Sequence, residues 1–422
     1  MIVRRLYRQI RAWLPWGWPR FGVVGLICLN LLLVGVLVLP YLPGATALQS
    51  YPETKELAAK QWTFNELSDY FTALAEKQGA VYAYQVLKVA TLPSGIDMHL
   101  MGHVVGEVLY TQEGISGIEE CTQDFRNACS HTIVIGALQD FGTGDDTVAK
   151  IQAACEKAPG GLGAYTMCYH GLGHGVFAYF GYSIPQTVAM CQRFGTVAHG
   201  NQEYPQCVGG MTMELVGGGG HDPELWAVAH EKYLDPGDPL APCDGPLIPD
   251  VTKSFCYTYL TPHLFGAAGT NLGNPDPATF SKAFSFCTTI SDQALRGVCY
   301  GGFGKEFIPL AGARDIRNVD SFSDEVYQTA IEWCLKGPGV EAQDACIGQA
   351  LSSVYWGGEN DPNASFRFCS LVEDGHAQDA CYRSLAGYVA SYSTGAARTK
   401  LCERLPEADV ATCTSGRAPA TQ

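Results

Sequence analysis

Residues 155–174 read CEKAPGGLGAYTMCYHGLGH, and the way Cys155 and Cys168 bracket a Gly- and Pro-containing connection decides the architecture. An apolar-periodic segment ends at the first cysteine of the pair and a new one starts at the second. Seven further pairs repeat the arrangement: Cys121/Cys129, Cys191/Cys207, Cys243/Cys256, Cys287/Cys299, Cys334/Cys346, Cys369/Cys381 and Cys402/Cys413. Most are separated by 11 to 13 residues, the first by 8 and the third by 16. First cysteines of successive pairs lie 33 to 52 residues apart, and four of the seven intervals are 33 to 36. That is the period of two-helix repeats. Segments such as Ile331-Glu332-Trp333-Cys334 close a helix, and segments such as Cys381-Tyr382-Arg383-Ser384-Leu385 open the next.

The pattern predicts an all-α fold of disulfide-stapled helical-hairpin repeats, α-solenoid-like, following one N-terminal transmembrane helix. No alternating strand pattern competes. Closing a loop of about 12 residues contributes on the order of 3 kcal/mol in the chain-entropy account, so eight staples permit thin layers with small Gly-rich contacts. In pitch and bridging the array resembles disulfide-bridged helical-hairpin repeat proteins. Ahead of it, Thr63 and Glu66 form a capping-box pattern opening a helix that Gly79 ends, and a second helix is expected over 80–92.

Of 422 residues, 17 are Cys and 48 Gly, with 47% hydrophobic and 16% charged, which excludes disorder, collagen and coiled coil. Residues 21–39 carry no charge, long enough for a membrane-spanning helix. Five arginines precede that run (Arg4, Arg5, Arg8, Arg11 and Arg20), with Trp13, Trp16 and Trp18 at interface level. The positive-inside rule then orients the chain. The expected layout is a cytoplasmic basic segment over 1–20, a signal-anchor helix over 21–42, a tether over 43–61 and an extracytoplasmic Cys-rich α-helical repeat domain over 62–416. A cleaved signal peptide ending near Ala45-Thr46-Ala47 is the competing reading. The expected location is a single-pass inner (cell) membrane with the main domain periplasmic or extracellular. Sixteen cysteines remain outside the apolar run, an even number that suits an oxidising compartment. Net charge is -15, with -20 on the part after residue 50, so nucleic acid is not an expected partner.

Superposing the units on the second cysteine aligns Cys168-Tyr-His170-Gly-Leu-Gly173-His174 with Asp97-Met-His99-Leu-Met-Gly102-His103, and Cys129-Ser-His131 with both. The position two after the cysteine is therefore His in three units, and two units add a second His four residues on. Four residues is just over one helical turn, so His99/His103 and His170/His174 each present two imidazoles on one face. Such pairs hold zinc, copper or iron, and a divalent transition metal is the expected cofactor, with His99, His103, His131, His170 and His174 as ligands. The scattered His199, His221, His230, His263 and His376 read as surface or satisfied core positions.

Glu214 and Glu306 each lie seven residues after a second cysteine, and Glu107 follows His103 by one turn. These three are the candidate catalytic carboxylates, able to orient an imidazole or act as general base. The Gly217-Gly218-Gly219-Gly220 run reads as a linker. Phosphate loop, dinucleotide fingerprint, Gly-x-Ser-x-Gly elbow and Cys-x-x-Cys-His haem motif are all missing. The functional expectation is a metal-dependent hydrolase or oxidase, with the metal site in the three N-terminal units and metal binding left largely intact by truncation after about Cys299. The alternative is a non-enzymatic scaffold binding a protein or peptide, with Tyr179, Tyr182, Tyr388 and Tyr392 as anchors.

Overall fold

Thr63 and Glu66 do form the reciprocal cap expected of them: the Thr63 hydroxyl accepts the Glu66 amide and the Glu66 carboxylate accepts the Thr63 amide at 2.9 Å. They open α1 (Phe64–Gln78), which ends at Gly79, whose φ of 96° suits glycine, and α2 (Ala80–Val89) follows. The protein is described by a computed structural model covering residues 51–415 except 94, 123, 160, 196–201, 219–221, 271, 318 and 358–361. The chain divides into two units, 1–54 and 55–422; of the first, only residues 51–54 are described, and everything below concerns the second. The expected membrane helix over 21–42 lies outside the described residues. Among those residues, no helix is long and apolar enough to cross a membrane.

The described chain is all-helical, with an isolated bridge between Asp235 and Asp238 as its β-like feature. The second helices of the hairpins follow one another as an inner row: α3 (Met98–Glu113), α4 (Asp124–Phe141), α5 (Gly161–Tyr179), α6 (Glu203–Gly217), α7 (Lys253–Tyr259), α8 (Gln293–Ala311), α9 (Gly339–Gly357), α10 (Gly375–Tyr392) and α11 (Glu407–Ser415). Each packs on the next. Helices such as Asp145–Cys155, Phe280–Cys287 and Asp324–Cys334 back them as the first arms of hairpins. All eight cysteine pairs join as expected, with Cα separations of 5.4 to 5.8 Å.

The structure refines the expected geometry of the staples. The second cysteine does not start its helix: Cys168, Cys299, Cys346, Cys381 and Cys413 lie nearly two turns into theirs, Cys207 and Cys256 about one turn. In two units the start is an aspartate cap seven residues upstream of that cysteine: Asp292 accepts the Leu295 amide and Asp374 the Ala377 amide, each at 3.0 Å. Asp97, standing where the other units have their second cysteine, is itself the cap of α3, accepting the His99 and Leu100 amides at 3.1 Å.

Glycine sets how closely the inner helices approach. A Cβ on Gly173 would sit 1.9 Å from the Cys207 carbonyl oxygen, and one on Gly304 1.9 Å from that of Cys346. Both glycines lie five residues after a second cysteine, so one backbone-to-backbone contact recurs between successive units. The core between rows is aromatic: Phe265, Phe280, Phe284, Phe303 and Phe307 are all fully buried and mutually in contact.

The row does not run on as an open array. Arg314, just after α8, bonds the Asp97 carboxylate at 2.6 Å. Arg317 caps the C-terminal end of α2 through the Ala90 carbonyl at 2.5 Å and the Leu87 carbonyl at 3.1 Å. Helix α9 also touches α4. The middle of the array is thus brought back against its beginning, and the histidines of α3 face residues that follow Cys299.

Candidate metal centre

Three helices bring five imidazoles together, and glycine makes room for them. Helix α3 presents His99 and His103, α4 presents His131, and α5 presents His170 and His174. A Cβ on Gly171 would lie 2.5 Å from the Cα of His131, so α5 can reach α4 only because that position lacks a side chain. Ring centroids are 4.6 Å apart for His99 and His103, 5.3 and 5.6 Å from those to His131, 5.6 and 5.7 Å from His131 to His170 and His174, and 5.2 Å within the α5 pair. All five are buried, His131 completely. The ligand atoms of His99, His103 and His131 lie within 4.8 Å of one another.

Their protonation follows from burial and hydrogen bonding. Burial pulls the His99 imidazole down to about 4 against the opposing influence of Asp97 and the Phe125 carbonyl. His131 is held well below its ordinary value by burial and then by the four surrounding imidazoles, His170 by burial and then by His174 and Lys305. These rings are neutral at pH 7. His99 donates Nδ1–H to the Phe125 carbonyl at 2.7 Å, leaving its Nε2 lone pair inside the cluster without a hydrogen-bond partner. His131 has no partner on either ring nitrogen. A histidine that is merely structural satisfies its ring, since an orphaned buried donor or acceptor costs about 1–3 kcal/mol. The donor set and its orphan nitrogens therefore fit an imidazole-preferring metal.

The Phe125 carbonyl is placed by an unusual backbone. Phe125, Arg126 and Asn127 have φ of 52°, 56° and 62°, a left-handed turn within the shortest cysteine loop. Such a conformation costs roughly 1–2 kcal/mol per non-glycine residue. It aims the carbonyl at His99 and places Arg126 on the wall of the adjoining cavity.

That cavity, about 400 Å³, is lined by His99, His103 and His174, with His131 and His170 behind them. All three expected carboxylates reach it. Glu107 stands exposed at its edge. Glu214 is buried and accepts from His174 Nδ1 at 3.0 Å. Glu306 is paired with the adjacent Lys305; burial pushes its carboxyl up, but Lys305, Arg126 and Arg314 together hold it below its ordinary value. Burial lowers Lys305.

Several lining groups were not expected from the sequence: Arg126, Met213, Tyr259, Lys305 and Arg314. Tyr259 packs against His170 with ring centroids 4.6 Å apart and the planes tilted by 36°, and Lys305 Nζ lies over the Tyr259 ring at 4.7 Å from its centroid. No spacing rule links these residues to the histidine column. The histidines lie in the N-terminal units, while Lys305, Glu306, Pro309 and Arg314, all beyond Cys299, form one wall of the cavity. Of the proposed anchor tyrosines, Tyr182 is core, 1% exposed, while Tyr179 is exposed and Tyr388 half-buried. The side chain of Tyr392 lies outside the described residues, as do His199 and His221. His230 packs on Trp226 and His376 pairs with Asp344 at 3.2 Å; neither these nor His263 line the cavity. Comparison with protein-family models, curated proteins and solved structures finds no match to this chain.

Proposed function

We propose that this protein is a metalloprotein that binds a transition metal, zinc, copper or iron, on His99, His103 and His131, and that the loaded centre acts on a small molecule in the adjoining cavity by hydrolysis or oxidation. One observation carries the reading: three buried imidazoles bring ligand atoms within 4.8 Å of one another, and His99 Nε2 and both ring nitrogens of His131 have no hydrogen-bond partner there. A three-histidine set that leaves a coordination position open toward a cavity is an arrangement that catalytic metals use, and the ion would supply Lewis acidity there. The chain's own residues supply the rest. Phe125 orients His99 through Nδ1, Arg126 and Lys305 offer positive charge to an anionic group on the substrate, and Glu107 at the mouth is positioned to accept a proton. The extracytoplasmic, membrane-anchored setting belongs to the same proposal and is supported by the eight disulfides and the apolar run over 21–39.

Elemental analysis of the purified protein tests the reading. A stoichiometric transition metal is expected, with one equivalent lost in the His99→Ala/His103→Ala variant while far-ultraviolet circular dichroism is retained. A folded wild-type protein that neither carries nor takes up metal would overturn it, and would leave a helical-repeat scaffold that binds protein or peptide.

A further inference from the structure

His170 and His174 differ from the triad in one geometric respect: their Nε2 atoms face each other at 3.4 Å. A carboxylate accepts hydrogen bonds, so His174 donates Nδ1–H to Glu214, and its Nε2 carries a lone pair directed at His170. His170 Nδ1 has no partner in hydrogen-bonding geometry, although the Gln206 backbone lies close enough to favour a protonated ring. Two metal–nitrogen bonds of about 2.0–2.1 Å at a tetrahedral angle hold their nitrogens about 3.3–3.4 Å apart. The α5 pair already has that bite.

A third donor completes the pair. Met213, on α6, places its Sδ 3.4 Å from His170 Nε2 and lines the cavity together with His174. A thioether is a weak hydrogen-bond acceptor, so hydrogen bonding alone gives little reason for a methionine sulfur to meet an imidazole nitrogen head-on. As a ligand it is soft, which selects copper(I), and it is not among the donors that zinc takes in proteins. The carboxylate of Glu214, behind His174, supplies the negative charge that a buried monovalent cation needs. It also orients the ring in the way metal-ligating histidines are usually oriented.

We propose that His170 Nε2, His174 Nε2 and Met213 Sδ form a copper(I) site, separate from the His99/His103/His131 triad and reached through the same cavity. This deepens the metalloprotein reading by adding a second ion of stated identity, and it does not depend on the triad holding metal.

The test is an anaerobic titration of the full chain with copper(I) against bicinchoninate as competing chelator, paired with X-ray absorption of the copper-loaded protein. The wild type is expected to hold one copper(I) with a sulfur scatterer in its coordination sphere. Met213→Leu, nearly isosteric and therefore able to fold, should remove that scatterer and weaken copper(I) binding by about tenfold or more. The His99→Ala/His131→Ala variant should lose zinc(II) uptake and keep the sulfur-ligated copper. A copper site without sulfur, or copper affinity unchanged in Met213→Leu, would overturn the proposal. Absence of zinc binding in the wild type with copper intact would instead sink the triad and leave this site standing.

Discussion

His174 Nδ1 and Glu214 Oε2, on helices α5 and α6, meet at 3.0 Å with both side chains about 5% exposed. Tyr182 also bears on the carboxylate: burial and the Glu214 charge push its phenol up to about 12, so it stays a donor. Carboxylate partners of ligating histidines typically contribute 10–100-fold to metal affinity. Glu214→Gln preserves shape but replaces the acceptor with a weaker, neutral one. Competition titration should show metal affinity at the α5 pair reduced by about 10–100-fold with the fold retained; an unchanged affinity would show that Glu214 does not orient His174.

Gly173→Ala would force α5 away from α6, since the new methyl meets backbone atoms of Cys207 and Met211 at 1.9 and 2.8 Å. The expected cost is about 1–3 kcal/mol of stability, together with loss of the His174 to Glu214 contact. Gly297→Ala is the control: it also lies within a helix, α8, with nothing within 4 Å of its Cβ position. That substitution should stabilise by about 0.5–1 kcal/mol. Chemical denaturation of the two variants beside the wild type reads both signs.

The metal-stripped protein should lose stability as pH falls below neutral. His99, pulled down to about 4, and His131 and His170, held well below their ordinary value by burial, have folded values beneath the ordinary 6.5 of an unfolded histidine. Below pH 6.5 the unfolded chain therefore binds more protons than the folded one, and stability declines from there through pH 4. Thermal melts in chelator at pH 7, 6 and 5 should show a falling Tm that the His131→Phe variant shows less steeply. A flat Tm would mean that the cluster titrates normally.

Arg317→Ala should loosen the return of the array onto its beginning. Its guanidinium is bonded to the Leu87 and Ala90 carbonyls and to Asp315, and its side chain is 12% exposed. Hydrogen bonds to a charged group contribute about 1.5–3 kcal/mol when removal leaves partners unpaired. Hydrogen exchange should quicken at the end of α2 and at the start of α3 ahead of the rest of the chain. Uniform destabilisation without that local signature would show that the closure is held elsewhere.

The Cys155→Ser/Cys168→Ser variant removes the staple at the start of the α5 histidines. About 3 kcal/mol of stability should go with it, and peptide mapping should find the other seven pairs unchanged. Rearranged bridges would mean that the pairing is not set locally.

Local pattern was enough for everything that acts within one hairpin. The cysteine spacing specified eight bridges, the Thr63 and Glu66 pair specified a helix start, and the four-residue histidine spacing put two imidazoles on one face of α3 and of α5, because a helix repeats every 3.6 residues whatever surrounds it. The capping aspartates Asp292 and Asp374 were equally local, but lay inside the cysteine loops where a connection was expected. What the tertiary structure decided was which faces meet. Curvature is the sum of many interhelix contacts, among them the glycine approach at Gly173 and the Arg314 to Asp97 pair, 217 residues apart in sequence. No window of the sequence contains that sum. It placed His131 between the two pairs, set Met213 against His170, and brought Lys305 and Glu306 to a cavity that the repeat pattern alone assigned to the N-terminal units.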